Sequence, residues 1–296
     1  MPQSSVRGVS SRPDRDLRRT PMRRPLLLTA AVALLCAGCS TNDGSSADGS
    51  PADAGDGNRR AGASASPDPG SAVRAAVEAV GEESVRIDEE IELAAEGEEY
   101  GLTLTGDFDF AADRGRLTVG LPGGAISRSD EIFAEGRIYV SGVAGIDEGA
   151  WGVMPRNEAE AHYALRAPLN DPEHVLRQIS AMRRTTEEGE ETVRGVRATH
   201  YRGTIDHDTL TLRMAGDVRA RTDQARDMLG SDLPVFADAW VDGRGRLVRV
   251  RMDLNMSGTR VTVTMDLSDF GKPVKVTVPK ASDTVAVSSA TGVLNG

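Results

Sequence analysis

The sequence predicts an α+β fold built around one large, largely antiparallel β-sheet. Apolar and polar residues alternate through most of the chain after residue 84, turn residues separate these runs, and a few segments have helical periodicity instead. The alternating runs correspond to roughly nine to eleven strands, against three helical segments. A sheet with one apolar face must cover that face with helices, a second sheet or a ligand.

An export signal precedes this region. Two arginines stand before an apolar run that ends at Leu35, and small residues then lead to Cys39. The run is too short to span a bilayer, and this order is typical of a secretory signal. The segment Cys36-Ala37-Gly38-Cys39 resembles a bacterial lipobox, although Cys36 stands where Leu is usual. We predict a signal peptide over residues 1–38 and lipid attachment at Cys39; an ordinary secretory signal cut nearby is the alternative.

Low-complexity sequence follows the export signal. Residues 39–70 are mostly Ser, Gly, Asp, Ala and Pro, with no aliphatic side chain larger than Ala. Such a segment cannot bury enough apolar surface to fold, so we predict a lipidated, disordered tether. A coil of about 30 residues spans roughly 30 Å, which suits a link between a bilayer and a folded domain. Residues 1–21 also lack an apolar pattern, and Met22 is an alternative start.

Charge and cysteine content exclude several function classes. Seven of the 35 basic and two of the 45 acidic residues precede Cys39, which leaves 28 basic and 43 acidic residues from there onward. This acidic excess argues against a nucleic-acid partner. Both cysteines, Cys36 and Cys39, lie in the export segment, so the following domain has no thiol for a disulfide, a zinc site or nucleophilic catalysis.

Three segments have helical periodicity. The first covers residues 71–81, where valines recur at i, i+4 and i+7 and Gly81 is placed to end the helix. The second covers residues 173–182 and follows Asp171-Pro172, a capping residue with proline at the first helical position. The third, residues 217–229, is strongly charged and has few apolar residues.

Period-two alternation marks the strands. We predict strands at residues 85–93, 100–110, 117–121, 131–134, 138–140, 192–206, 234–241, 247–256, 259–267 and 273–278. Glu89 interrupts the apolar face of the first strand. Residues 145–190 break the rhythm, with Trp151 in a glycine-rich loop and residues 187–191 as a charged turn.

The strictest alternation lies in the strands at 247–256 and 259–267. The even-numbered residues from Val248 to Met256 should point one way and meet the apolar residues of the next strand. The candidate lining of a ligand cavity is Val250, Met252, Leu254, Val263 and Met265. Methionine adapts its packing and suits an acyl-chain cavity, but these residues suit a plain core equally well. Either helices fill the core completely, or the sheet curls into a half-barrel and leaves a cavity.

No catalytic or metal site is predicted, and no cofactor is expected. The four histidines, His162, His174, His200 and His207, lack metal-ligand spacing. The sequence has no Gly-x-Ser-x-Gly elbow, phosphate loop or dinucleotide fingerprint. Acidic neighbours such as those at 88–90 occur in almost any acidic β-protein and do not indicate a glycosidase. We therefore expect no enzymatic activity.

Three segments resemble actinobacterial lipoproteins of the LppX/LprAFG type: Gly195–Gly203, Trp240–Leu247 and Asp269–Val274. Those proteins share a fold with the lipoprotein carrier LolA, and the resemblance covers most of residues 70–280. It implies a curved half-barrel sheet with helices on its concave face. It also implies a domain at 71–280 and a lipid or lipoglycan ligand of the kind that several members hold between sheet and helices. Residues 281–296 are predicted as a flexible tail.

The leading hypothesis is an extracytoplasmic lipoprotein on the outer face of the cell membrane. It would be anchored through Cys39, monomeric, and would bind or carry a lipid-like amphipathic molecule. One alternative is a non-catalytic interaction or sensor lipoprotein with a fully packed core. A third, an envelope hydrolase, would require a cleft converging on paired carboxylates or on His200 and His207.

Overall fold

A computed structural model of the chain describes residues 68–95, 97–120, 127–159, 171–256 and 259–287. The predicted signal peptide, Cys39 and the tether up to residue 67 lie outside these ranges. The described residues form one open, curved sheet of twelve strands, with helices packed on its concave face. The predicted α+β class with a largely antiparallel sheet is therefore confirmed.

The sheet is made of two meanders that meet at its centre. Its strands are β1 (Ser84–Ala95), β2 (Glu98–Asp109), β3 (Arg114–Gly120), β4 (Arg128–Ala134), β5 (Arg137–Ser141), β6 (Trp151–Pro155), β7 (Arg183–Val193), β8 (Val196–Ile205), β9 (Val235–Asp242), β10 (Leu247–Met256), β11 (Thr259–Ser268) and β12 (Thr284–Ala286). The strand order is β12-β6-β5-β4-β3-β2-β1-β11-β10-β9-β8-β7. Neighbours are antiparallel except β12, which runs parallel to β6. The chain thus leaves the centre at β1, reaches one edge, crosses to the other at β7 and returns at β11.

Within the described ranges, four α-helices accompany the sheet: α1 (Pro69–Gly81), α2 (Pro172–Ser180), α3 (His207–Leu210) and α4 (Gly216–Leu229). The structure has helices at all three predicted segments. Helix α1 begins two residues earlier than predicted, because the Asp68 side chain accepts a hydrogen bond from the Ser71 amide at 3.0 Å and Pro69 occupies the first position. The single turn α3 was not predicted, and Asp206 caps it in the same way.

The main core lies between one face of the sheet and helices α1 and α2. Helix α1 contributes Val73 and Val80, and α2 contributes Val175, Leu176 and Ile179. They pack with buried side chains of the central strands, among them Ile87, Ile91, Leu104, Leu117, Val119, Val250, Val263 and Met265. The stripe predicted for α2 is therefore the face that the helix buries.

The edge hairpin β7–β8 corrects two predictions. Residues 187–191, predicted as a turn, lie inside β7, and the predicted strand 192–206 is broken by Arg194-Gly195, whose φ angles are +48° and +82°. Two successive residues with positive φ form the tight hairpin turn that suits twisted strands. Strand β7 carries charged residues on both faces because it is an edge strand and is exposed along nearly all of its length.

The C-terminal segment also differs from its prediction. Residues 273–278 are not a strand; Val276 and Val278 instead pack against Ile132 and Tyr139 on the outer face of the sheet. Strand β12 lies within residues 281–296, which were predicted as a flexible tail. Its partner β6 begins at Trp151, which was assigned to a loop.

A shift in register reverses the alternation at the start of β10. The pairing of β9 with β10 slips between Leu247 and Arg249, as in a β-bulge. Leu247 and Val250 both join the main core, whereas Val248 packs with Trp240 in a separate outer cluster. The prediction that Val248 shares a face with Val250 is therefore wrong, because the bulge inserts a residue between them. The side chain of Met256 lies outside the described residues.

Candidate functional site

The five residues predicted to line a ligand cavity lie side by side on β10 and β11. Val250 pairs with Met265, Met252 pairs with Val263, and Leu254 pairs with Val261. Each pair points toward the helices, because Val250, Met252, Val263 and Met265 all belong to the main core.

An apolar cavity of about 160 Å³ lies at one end of this ladder. Met252, Leu254 and Val263 line it, together with Leu93 of β1 and Val261 of β11. Val250 and Met265, in contrast, are fully buried in the packed core and do not line the cavity. The structure therefore brings three of the five predicted residues to one cavity.

Helices and loops close the other side of the cavity. This side is formed by Leu210, Met214, Val218, Thr222 and, from α2, Gln178. Gln178 and Thr222 are the polar residues of that wall. The side-chain amide of Gln178 donates to the carbonyls of Thr209 and Leu210 at 3.2 and 3.3 Å, and the Thr222 hydroxyl donates to the Val218 carbonyl at 2.8 Å. The two Gln178 bonds tie α3 to α2, and such internal hydrogen bonds leave the cavity surface almost entirely apolar.

Helix α4 is held only weakly against the sheet. Of its 14 residues only Ala225 is buried. Its last two residues, Met228 and Leu229, expose 76% and 52% of their surface, so these apolar residues do not join the core. Since hydrophobic burial is the main force that fixes a helix on a sheet, α4 is the least restrained wall of the cavity.

Two glutamates interrupt the apolar face of the sheet. Glu89 on β1 is 3% exposed and Glu131 on β4 is 0% exposed. Burial, with a smaller contribution from the charge of Asp171, raises the pKa of Glu89 from 4.5 to about 8. Burial also raises the pKa of Glu131 well above its ordinary value, and Asp171 and Glu89 add to the shift. Burial therefore favours the uncharged carboxylic acid form of both side chains.

A buried ion pair fixes the start of α2 near these glutamates. Asp171 accepts hydrogen bonds from Nε and Nη2 of Arg156 at 2.8 and 2.7 Å, and from Nη1 of Arg213 at 3.1 Å. Burial alone would raise the pKa of Asp171, but the two arginines lower it below its ordinary value. Asp171 also caps the helix by accepting from the Glu173 amide at 3.0 Å. Its role was predicted only as a cap.

An open, polar cleft of about 740 Å³ lies beside this ion pair. Its cationic side chains are Arg156, Arg177 and Arg213. Each already contacts a carboxylate: Asp171 holds Arg156 and Arg213, and Glu173 holds Arg177. The cleft therefore offers no uncompensated positive charge to an anionic ligand.

The histidines do not converge on a reactive centre. His200 lies on the outer face, stacked on Trp240 at 4.5 Å, with its ring nitrogens 3.0 Å from Glu191 and 2.8 Å from Asp238. His207 belongs to α3, on the helix side, and contacts Asp223 at 2.6 Å. No cluster of three or more potential metal ligands occurs among the described side chains.

The other two histidines of the sequence are His174 and His162. His174 is buried on α2, where burial lowers its pKa to about 4 and the charge of Arg213 acts in the same direction. His162 lies outside the described residues, as does the predicted lipidation site Cys39. Within the described part of the chain, no helix combines the length and apolar character needed to cross a bilayer.

Comparison with known proteins places this architecture in a family. The family model described as LppX_LprAFG lipoprotein matches residues 112–276, more than half of the 296 residues. The chain belongs to this lipoprotein family. The matched segment runs from just before β3 to beyond β11 and includes α2, α4, Glu131 and most of the cavity wall.

Individual relatives of this LppX_LprAFG lipoprotein match either at low sequence identity or over a short part of the chain. Lipoprotein LppX of Mycobacterium tuberculosis is 15% identical, with a TM-score of 0.47 over 70% of this chain and 97% of that one. LprF of Mycobacterium bovis is 14% identical, with a TM-score of 0.43 over 73% and 97%. An uncharacterized 31.2 kDa protein of Streptomyces griseus, from the rplA-rplJ intergenic region, is 34% identical over 118 residues. The match spans 38% of that relative's length and 38% of this chain.

The burial of these two carboxyl groups was not predicted from the sequence of this lipoprotein. In the sequence, Glu89 interrupts the apolar alternation of β1, and this interruption is the signal of a buried carboxyl group. Glu131 carried no comparable signal, because the strand was recognised only from residue 131 onward. Its burial follows from the register, which places Glu131 opposite Leu117 of β3.

Proposed function

We propose that this lipoprotein is anchored through Cys39 to the outer face of the cell membrane and that its sheet domain binds an amphipathic, lipid-like molecule. The protein acts on that molecule by binding and carrying it, without catalysing a reaction. The observation that carries the proposal is the apolar cavity between β10, β11 and the loosely held helix α4.

The composition of the cavity wall suits an acyl chain. Met252, Met214, Leu254 and their neighbours offer aliphatic and thioether surface that adapts to a flexible ligand. Burying each methylene group of a chain contributes about 0.8 kcal/mol, so about ten methylene groups supply the roughly 8 kcal/mol of micromolar binding before entropic costs. The cavity supports recognition by burial of apolar surface, with no requirement for a particular headgroup at this end.

The size of the cavity requires that it opens when a lipid binds. Ligand pockets usually measure about 300–1,000 Å³, whereas an apolar cavity of about 150 Å³ accommodates a molecule such as benzene. At about 160 Å³ this cavity holds only the end of a chain. Because α4 buries one residue, its displacement costs less apolar contact than displacement of α1 or α2.

Uptake of a fluorescent fatty-acyl probe tests the proposal. We expect saturable binding to the full chain carrying Cys39→Ala, which removes the lipid attachment point so that detergent is unnecessary. Leu254→Trp fills the cavity and should weaken binding at least about tenfold. Arg251→Trp, an exposed position on the same strand, is the matched control and should bind normally. Absence of uptake, and of any co-purifying lipid in native mass spectrometry, would refute the proposal.

A second candidate function is a sensor or interaction module with a packed core. The observation that favours it is the small volume of the cavity, since the rest of the interior is filled by the main cluster. This candidate predicts that Leu254→Trp lowers stability without altering any activity in the native host. The two candidates are separated by whether an acyl probe is taken up at all.

Membrane attachment is tested separately from ligand binding. The wild-type chain should partition into the membrane fraction and incorporate labelled palmitate, and Cys39→Ser should do neither. Cys36→Ser is the matched control, since Cys36 would be removed with the signal peptide. Palmitate incorporation by Cys39→Ser would contradict the assigned anchor.

A further inference from the structure

We propose that Glu89 and Glu131, together with Ser129, form a buried hydrogen-bonding site for an uncharged polar group, such as an ester or hydroxyl group, of the molecule bound between sheet and helices. This site deepens the proposed function and rests on it. It assigns the polar part of the ligand to the interior of the domain, next to the apolar cavity.

The register places all three side chains on the inner face of the sheet. Glu89 lies between Ile87 and Ile91 on β1, both of which belong to the main core. One row of paired residues joins Glu89 of β1, Leu104 of β2, Val119 of β3 and Ser129 of β4. The next row runs through Ile87, Gly106, Leu117 and Glu131. Leu104 and Val119 therefore lie between Glu89 and Ser129 along the first row, and the charge of Glu89 acts on Glu131 in the next row.

None of these polar groups has a partner among the described residues. Both carboxyl oxygens of Glu89, both of Glu131 and the hydroxyl of Ser129 are buried without a hydrogen bond. A buried polar group without a partner costs about 1–3 kcal/mol, and most native proteins avoid it. Ser129 is an independent observation, because a hydroxyl has no charge to neutralise and is nevertheless left unpaired at 1% exposure.

The site adjoins the apolar cavity. Glu89 pairs with Met265 of β11, and the next inward-facing pair on the same two strands is Ile91 with Val263. Val263 lines the cavity, so one step of two residues, about 7 Å, separates Glu89 from the cavity wall. Helix α2 lies over both places. Its cap Asp171 acts electrostatically on Glu89, and Gln178 lies in the cavity wall.

The surrounding charges select an uncharged ligand group. The cations Arg156 and Arg213 are bound by Asp171, and the charge of Asp171 disfavours the ionised form of Glu89 and Glu131, as it would a second anion there. Protonated Glu89 and Glu131 each donate one hydrogen bond, as does Ser129. Ester carbonyls and hydroxyls accept such bonds, whereas a phosphate or carboxylate would meet uncompensated repulsion and a large desolvation cost.

Binding of myristoyl compounds that differ only in the polar group tests the site. The full chain carrying Cys39→Ala is titrated at pH 7 with monomyristoylglycerol and with myristylamine, each displacing the fluorescent acyl probe. We expect the glycerol ester to bind more tightly. Glu89→Leu with Glu131→Leu should weaken binding of the ester about tenfold or more, through loss of two hydrogen bonds, while the probe itself still binds. Exposed Glu92→Leu on β1 is the matched control and should leave the ester affinity unchanged.

A pH series with glutamine provides a second measurement if the leucine variant is misfolded. Glutamine keeps an uncharged donor but cannot ionise, so Glu89→Gln should retain ester binding and lose less affinity than the wild type between pH 7 and 9. Asp171 and Glu131 interact electrostatically with Glu89, and the charged or titratable groups around Asp171 are Arg156, Arg213 and His174. None of these is altered in the variant.

The outcomes separate this site from the proposed function. Probe binding with an unchanged ester affinity in the leucine variant would overturn the site alone and indicate that the carboxyl groups hold only water. Tighter binding of the amine, lost in the leucine variant, would also overturn it and indicate a cation site. If no acyl compound binds to any variant, both the site and the proposed function are refuted.

Discussion

Replacing Asp171 should reveal how firmly α2 is held over the sheet. Asp171→Asn keeps a good helix cap but removes the carboxylate that binds Arg156 and Arg213. Asp171 is 3% exposed and Arg156 is 8% exposed, so the substitution leaves a buried guanidinium without its main counter-charge. Breaking a buried pair in this way typically costs 3–5 kcal/mol. We expect a loss at the lower end, because Asp113 and Glu173 still contact Arg156.

The assay is denaturant unfolding followed by the fluorescence of the two tryptophans, Trp151 and Trp240. The midpoint should fall while the slope m stays constant, since the variant changes stability and not the surface exposed on unfolding. Asp171→Ala should cost about 1 kcal/mol more, because the cap is lost as well. Asp107→Ala, at an exposed position paired with Arg86, should change stability little. A loss below about 1 kcal/mol for Asp171→Asn would refute the view that these ion pairs fix α2.

Three further predictions concern pH, turn geometry and the anchor. Because the pKa of Glu89 is about 8 in the fold and ordinarily 4.5, the folded state keeps a proton that the unfolded chain releases, so stability should fall as pH rises between these values. Glu89→Gln should flatten that fall in urea titrations at several pH values; an unchanged profile would contradict the assignment. Gly195→Ala, at φ +82°, should cost about 1 kcal/mol in thermal unfolding, whereas Gly81→Ala at the end of α1 should not, and equal effects would argue against the hairpin turn. Globomycin, which blocks removal of lipoprotein signals, should cause an unprocessed precursor to accumulate, and normal processing in its presence would contradict lipidation at Cys39.

The sheet was largely predictable because its central strands have one buried and one exposed face. In β10 and β11 this difference produces strict alternation. The apolar residues of the two strands meet as predicted, in pairs such as Met252 with Val263 and Val250 with Met265. Edge strands lack this signal. Strand β7 is exposed on both faces, and its residues 187–191 were therefore predicted as a charged turn. The bulge near Val248 escaped prediction for a related reason, since it depends on the pairing of β9 with β10 and not on local sequence.

The candidate site was predictable in composition but not in extent. Sequence identified the aliphatic wall, yet whether Val250 faces a cavity or a packed core depends on where the helices lie over the sheet. Recognising the buried carboxyl groups required the register, since only the alignment of β1 to β4 places Glu89, Glu131 and Ser129 on the inner face in two adjacent rows. The hydrogen bonds that fix α2 likewise connect residues that are distant in sequence: Arg156, Asp171 and Arg213.

The ion pairs at the start of α2 and the weak packing of α4 together determine where the domain can open. Helix α2 cannot move away from the sheet without separating Asp171 from two arginines in a poorly hydrated environment, which makes its N-terminal end the fixed part of the cover. Helix α4 is restrained less: Ala225 is its single buried residue, and its contact through Asp223 with His207 ties it to α3 and not to the sheet. An acyl chain would therefore enter beneath α4, past Met214 and Val218, and extend along the rows of β11 and β1 toward Glu89. In that arrangement the polar part of the ligand stops beneath the end of α2 that does not move, and the apolar end lies beneath the helix that does.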